Sequence, residues 1–170
     1  MHNLRFNEYL MEESIKDKPI KDEVNIVKVE SHNLSGVVLI YNNKILLVRP
    51  KKFRRKMKRW SIPKGHIEDK MSKMKTALRE LKEESAIKLK KKHLKDVEKI
   101  IINYTKADIT KKLTCYIVHI EKEEINVKLF NDMILGNFLK GETVEAGFFS
   151  KEDAKTLIEK HQLNLLEFLD

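Results

Sequence analysis

The chain has 170 residues, enough for one domain of ordinary size with a substantial buried core. Apolar residues at 41% and charged residues at 36% exclude a disordered chain, and the longest apolar runs, 37–40 and 45–48, are too short to cross a bilayer. Lys+Arg at 35 against Asp+Glu at 26 gives a formal net charge of +9, which favours anionic partners (polyphosphate, nucleic acid or an acidic membrane face) or serves solubility alone; charge by itself does not choose.

In chain order, residues 1–24 read as a charged arm, with a short helix over 6–15 stopped by Pro19. The opening MHNLRFNEYLMEES carries acids and no continuous apolar stretch, so it is not a secretory signal, and the expected compartment is the cytoplasm. Cys115, the single cysteine, excludes an internal disulfide and a multi-cysteine zinc site. Residues 25–170 form the expected domain, since no repeat, low-complexity tract or Pro/Gly-rich linker divides them. Val and Ile enrichment predicts strands over 25–30 and 34–41. Asn42-Asn43 suits the positive φ angles of a tight hairpin returning along 44–49, and Pro50 then opens the basic loop KKFRRKMKRW. Met74, Ala77, Leu78 and Leu81 make one apolar stripe of a helix over 72–85 with Ser72 as its cap. A second hairpin is expected from 97–104 and 113–120, turning around 106–111. Residues 130–141 carry no assignable pattern. A short strand over 144–149, a helix capped by Ser150 and a terminal apolar turn complete the chain. This order predicts an α/β (α+β) fold, a mixed sheet sandwiched between helices.

The chemistry concentrates in GHIEDKMSKMKTALRELKEESAI, residues 65–87. Glu80, Glu83 and Glu84 are spaced i, i+3 and i+4, so their carboxylates share one helix face, about a third of a turn from the apolar stripe. Like charges at this spacing cost about 0.2–0.5 kcal/mol per pair, a penalty that a hard divalent cation reverses. Bound Mg²⁺ or Mn²⁺ neutralises a polyphosphate, orients a bridging oxygen and activates water. The alternative is a solvated acidic face balanced by Lys73, Lys75, Arg79 and Lys82.

The segment resembles the box of the Nudix hydrolases, G-x5-E-x7-R-E-U-x-E-E-x-G-U with U apolar. Gly65, Arg79, Glu80, Leu81, Glu83, Glu84 and Ile87 stand where that pattern asks. WSIPKGHIE upstream and ETVEAGFFSKEDA downstream extend the resemblance over most of the chain from about residue 34. It implies a mixed sheet between helices, and hydrolysis of a phosphoanhydride bond by water attacking phosphorus in line. By the same resemblance Glu80, Glu83 and Glu84 ligate the cations, the Gly65 carbonyl and Glu68 complete the sphere, and either a box glutamate or one on a late loop, Glu142 first and Glu145 second, assists the attacking water. Two positions depart from it. Met71 replaces the first glutamate, which in family members commonly pairs with the box arginine; Glu83 or Glu68 is then the expected partner of Arg79. Ala86 replaces the last glycine and requires a left-handed turn costing about 1–2 kcal/mol. These departures leave a nucleotide-binding module without turnover as an alternative.

For the substrate, PKGH and the Trp before it look most like diadenosine tetraphosphate hydrolases, with Lys64 beside the phosphates. The seven cations Lys51, Lys52, Arg54, Arg55, Lys56, Lys58 and Arg59 also suit a 5′-triphosphorylated RNA end or a diphosphoinositol polyphosphate, or keep an exposed loop soluble. Tyr104 is a candidate clamp for a base, and Phe53 and Trp60 either stack on a base or, for Trp60, fill the core. His66 is a phosphate or loop residue; His161 and Cys115 read as structural.

Overall fold

The computed structural model describes residues 31–51, 59–136 and 138–170. The helix expected over 6–15, the strand expected over 25–30 and the basic residues 52–58, with Arg54, Arg55 and Lys56, lie outside them.

The first hairpin joins β1 (Ser31–Tyr41) to β2 (Lys44–Pro50). Asn42 and Asn43 both take the expected positive φ, 49° and 54°, which short polar side chains tolerate and which matches the twist of the strands. A short β3 (Lys64–His66) pairs antiparallel with the N-terminal half of β1, while β2 pairs with its C-terminal end. The strand β1 therefore has two partners along one edge. The chain passes from one to the other, and Pro63 accepts a hydrogen bond from the Val37 amide at 3.1 Å.

The helix α1 (Lys73–Ser85) is capped by Ser72, whose hydroxyl accepts from the Lys75 amide. It ends at Ala86, φ 64°, whose N–H donates to the Lys82 carbonyl at 2.9 Å. A Cβ in this left-handed conformation carries about 1–2 kcal/mol of strain. Ala86→Gly is therefore expected to stabilise the protein by about 0.5–1 kcal/mol after the added unfolded-chain entropy is counted, read from the denaturant midpoint.

A one-turn α2 (Lys91–Leu94) leads to the hairpin of β4 (Lys99–Lys106) and β5 (Ile109–His119). Its turn is tighter than the sequence suggested, because Ala107 and Asp108 alone reverse the chain, at φ 51° and 61°. The lysines that read as loop, Lys106 and Lys111, are strand residues. The unassigned stretch begins at the last residue of β6 (Lys128–Phe130) and contains β7 (Met133–Leu135), the two turned by Asn131-Asp132. Strands of three residues are too short to show an alternation. The chain ends with β8 (Thr143–Phe149), α3 (Lys151–Leu157) under its Ser150 cap, and a 3-10 segment, Lys160–Phe168.

The sheet runs β4-β5-β1-β2-β8-β7-β6, with β1 and β5 parallel and its other neighbours antiparallel. Strict alternation along the central strands gives it two apolar faces. Val37, Leu39, Leu46, Val48, Val118 and Phe148 face α1, meeting Ala77 and Leu81 of the expected stripe. Val38, Ile40, Ile45, Leu47, Leu113 and Ile117 face Ala154, Ile158, Leu165 and Leu166 near the C-terminus. Trp60 belongs to this second core, edge-on to Phe149 at 4.9 Å, so packing and not base stacking is its place. Helices cover both faces, and among the described residues no helix is long and apolar enough to cross a membrane.

Candidate active site

The polar face of α1 meets β3 where the chain changes partner along β1. Gly65 sits directly over Glu80. A Cβ at Gly65 would lie 2.2 Å from the Glu80 carboxyl carbon, so this close approach requires glycine. One residue earlier, the Lys64 amide donates to Glu84 Oε2 at 2.9 Å. The helix is thus tied to β3 through two of its three box glutamates.

Arg79 closes the same corner. Its Nη1 donates to Glu68 Oε1 at 2.6 Å, and its Nη2 to Glu80 Oε1 at 2.7 Å and the His66 carbonyl at 3.3 Å. Glu68 therefore stands in for the acid missing at Met71, three residues further along the same loop; the Met71 amide donates to the Glu68 carbonyl in the intervening turn. Of the two partners expected for Arg79, the structure uses Glu68, with Glu80 in addition.

A cavity of about 760 Å³ opens over this corner. Its walls carry Gly65, Glu68, Arg79, Glu80 and Glu84 from the box, with Glu142 from the loop before β8. Lys51, Arg59, Lys64, Lys106 and Lys111 bring cations to the same space, and Tyr104 and Glu159 complete one side. Glu83, on the same helix face, is half-buried but is not part of the lining. Glu145, the second candidate for assisting water, is paired with Arg49 at 2.6 Å on the sheet, whereas Glu142 reaches the cavity.

Glu84 keeps a strip of surface in the cavity, but most of its surroundings are protein. Burial pushes its carboxyl up to about 7 against the pull of Lys64, and Glu80 and Glu142 add to the rise. Glu159 behaves oppositely: burial would raise it, but Lys64, Lys106 and His161 together hold it below the usual carboxylate range. Tyr104 stacks on His161 with centroids 3.7 Å apart and planes 15° from parallel. Burial, aided by Glu159, pushes the Tyr104 phenol up to about 12. Burial likewise lowers His161 in spite of Glu159, and lowers His66, where His32 contributes next.

The donor set fits a hard divalent cation. It consists of oxygens only, and the desolvated Glu84, repelled by Glu80 and Glu142, is the kind of site that such an ion relieves. Among the described residues no three His, Cys, Asp or Glu side chains already converge as a cage.

Lys106, Lys111, Glu159 and His161 were not candidates from sequence, or were read as structural. They arrive from β4, β5 and the C-terminal segment. The one available signal was Tyr104 and Lys106 at i and i+2 of a strand, which places both on one face.

An acid-lined corner among lysines and arginines, on a mixed sheet flanked by helices, suits an enzyme that cleaves phosphoanhydrides. The Nudix-domain family model matches residues 31–170, and the chain belongs to the Nudix family. No curated protein sequence matches it. Among solved structures, it is similar to an Ap4A hydrolase binary complex from C. elegans, with 19% identity, TM-score 0.59, and 80% of this chain and 93% of that one covered. A MutT NUDIX hydrolase from Burkholderia pseudomallei gives 16% identity, TM-score 0.60, and coverage of 81% and 97%. A bifunctional NMN adenylyltransferase/ADP ribose pyrophosphatase from Francisella tularensis, complexed with AMP and Mn ion, gives 16% identity, TM-score 0.60, and coverage of 81% and 41%. The protein is thus a hydrolase acting on phosphoanhydride bonds, in a family that uses divalent metal ions and small phosphate substrates.

Proposed function

We propose that the chain hydrolyses a nucleoside polyphosphate or dinucleoside polyphosphate, with Mg²⁺ or Mn²⁺, in the cytoplasm. The observation that carries this reading is one cavity lined by both charges: the carboxylates Glu80, Glu84 and Glu142, and among them the cations Lys51, Arg59, Lys64, Lys106 and Lys111. Carboxylates of this kind hold cations, and lysine and arginine hold the oxygens of a transferred and a departing phosphate. Glu80, Glu84 and the Gly65 carbonyl would hold the metal, with Glu83 joining from the adjacent turn. The bound ion supplies charge neutralisation and an acidified water. Glu142, on the lining of the same cavity, would be the base for an attacking water, and Arg79 keeps Glu80 oriented through its 2.7 Å contact. The similarity to an Ap4A hydrolase and to an ADP ribose pyrophosphatase complexed with AMP and Mn ion supports a nucleotide substrate.

A second reading, trimming of a triphosphorylated RNA 5′ end, is favoured by one observation. Lys51 and Arg59 both line the cavity, so it holds cations beyond those beside the box for a longer polyanion. Purified protein assayed with Mg²⁺ against dinucleoside polyphosphates, nucleoside triphosphates, capped and triphosphorylated RNA and inositol pyrophosphates separates the two. Metal-dependent turnover of the nucleotides with the highest kcat/KM is expected. Preference for inositol pyrophosphate overturns both readings.

A further inference from the structure

A second cavity adjoins the first. The two share Arg59, Tyr104, Lys106 and Glu159, while His161 and Lys160 belong to the second alone. The box residues Glu80, Glu84 and Arg79 line only the first. The junction therefore holds Glu159 and Tyr104 together, with His161, on which Tyr104 stacks, on the side away from the box residues. A nucleotide joins its phosphate to its base through the ribose, so one bound with its phosphate at the box residues has its ribose and base to place towards this junction.

Glu159 is built firmly into this junction. Its amide donates to the Trp60 carbonyl at 2.9 Å, and the neighbouring Ile158 bridges to Trp60. Its carboxylate is fixed by Lys106 Nζ at 3.1 Å and lies 3.5 Å from His161 Nε2. An ionised carboxylate accepts hydrogen bonds and donates none. Of the groups a nucleotide places between its phosphate and its base, the 2′- and 3′-hydroxyls are the donors, and an acidic side chain is a known solution for reading the 2′-hydroxyl. Aromatic faces, in turn, stack on any base.

We propose that Glu159 is a specificity residue that selects ribonucleotides over 2′-deoxyribonucleotides, accepting from the ribose hydroxyls while the base packs against Tyr104 and His161. The inference rests on the nucleotide reading of the site. It sets the substrate class apart from deoxynucleotides and from inositol phosphates, which have no base to stack.

The test is calorimetric binding of the full chain to adenosine 5′-monophosphate and its 2′-deoxy counterpart, with ribose 5-phosphate as a base-free probe. The wild type is expected to bind the ribonucleotide about tenfold more tightly than the deoxynucleotide, as befits a hydrogen bond to a charged group. Glu159→Ala should bind the two alike. Glu159→Asp keeps the charge opposite Lys106 but withdraws the acceptor by one methylene, so it should also lose most of the preference, and it serves if the alanine variant does not fold. Tyr104→Leu should weaken both nucleotides about tenfold, leave their ratio unchanged and leave ribose 5-phosphate unaffected. A residue that merely supports Lys106 would not move the ratio. Equal affinities in the wild type, no binding of either, or a preference that survives in the Glu159 variants overturns the proposal. A ribose preference in a protein that hydrolyses no nucleotide would remove the hydrolase substrate and spare the subsite. Nucleotide turnover without that preference removes the subsite alone.

Discussion

Glu84→Gln is expected to lower turnover at least about a hundredfold while making the metal-free protein more stable. The two effects have one cause. Glu84 lies where α1 meets β3, bonded to the Lys64 amide, in surroundings that desolvate it and beside two other carboxylates. Loss of an electrostatic contact that acts on the reacting phosphate commonly costs about 10²–10³ in rate. For stability, the folded carboxyl sits at about 7 against an ordinary 4.5, so the folded state retains a proton over an interval in which the unfolded chain has lost it. This group's contribution is complete below about pH 4.5 and disappears as pH rises through about 7. The full difference is on the order of 3 kcal/mol. Glutamine does not titrate, so the variant should lack that slope, and its advantage over wild type should be greatest above pH 7 in chelator. Denaturant midpoints at pH 5 and pH 8 measure it. Saturating Mn²⁺ should restore the wild type and leave the variant unchanged, because only a site that binds the folded state stabilises it. Full turnover in the variant, or parallel pH profiles, would remove Glu84 from the metal site.

Gly65→Ala is expected to separate activity from folding in a different way. The added methyl meets Glu80 Cδ and Oε1 at 2.2 Å, so the carboxylate must swing aside and leave its 2.7 Å contact with Arg79. The yielding group is the far end of a flexible side chain, so the stability cost should stay near the low end of about 1–3 kcal/mol for overpacking. Catalysis should suffer more. Displacing an oxygen ligand from the phosphate corner should lower kcat/KM by about 10–100-fold, with metal affinity falling in parallel. An active Gly65→Ala enzyme with unchanged metal dependence would mean that Glu80 need not hold its observed position.

Where local chemistry dictates the backbone, the sequence was readable. Asn42-Asn43 foretold its hairpin, Ser72 and the stripe at 74, 77, 78 and 81 foretold α1, and Ala86 took the left-handed conformation that its place in the box implied. What was unreadable lay in very short elements and in long-range assembly. The β6–β7 hairpin has three residues a side, too few for a period to appear. Lys106 and Lys111 looked like loop because solvent-facing strand ends tolerate lysine, and only the two-residue turn at Ala107-Asp108 makes them strand. The site divides the same way. The box residues sit within a single loop and helix, so their spacing is a geometric statement. Lys106, Lys111 and Glu159 reach the cavity from β4, β5 and the C-terminal segment, distant in sequence, and only the i, i+2 spacing of Tyr104 and Lys106 hints at it. Glu159 is placed by Trp60, almost a hundred residues upstream, through one backbone ladder.

The measurement closest to the heart of this account is a manganese titration of the wild-type chain followed by electron paramagnetic resonance, repeated on Glu84→Gln and on a Glu83→Gln, Glu84→Gln double variant. Stoichiometric loss of the free-ion signal is expected in the wild type, with affinity at least about tenfold weaker in the single variant and further reduced in the double. Identical titration curves for all three proteins would contradict the assignment of the α1 carboxylates as the cation-binding wall.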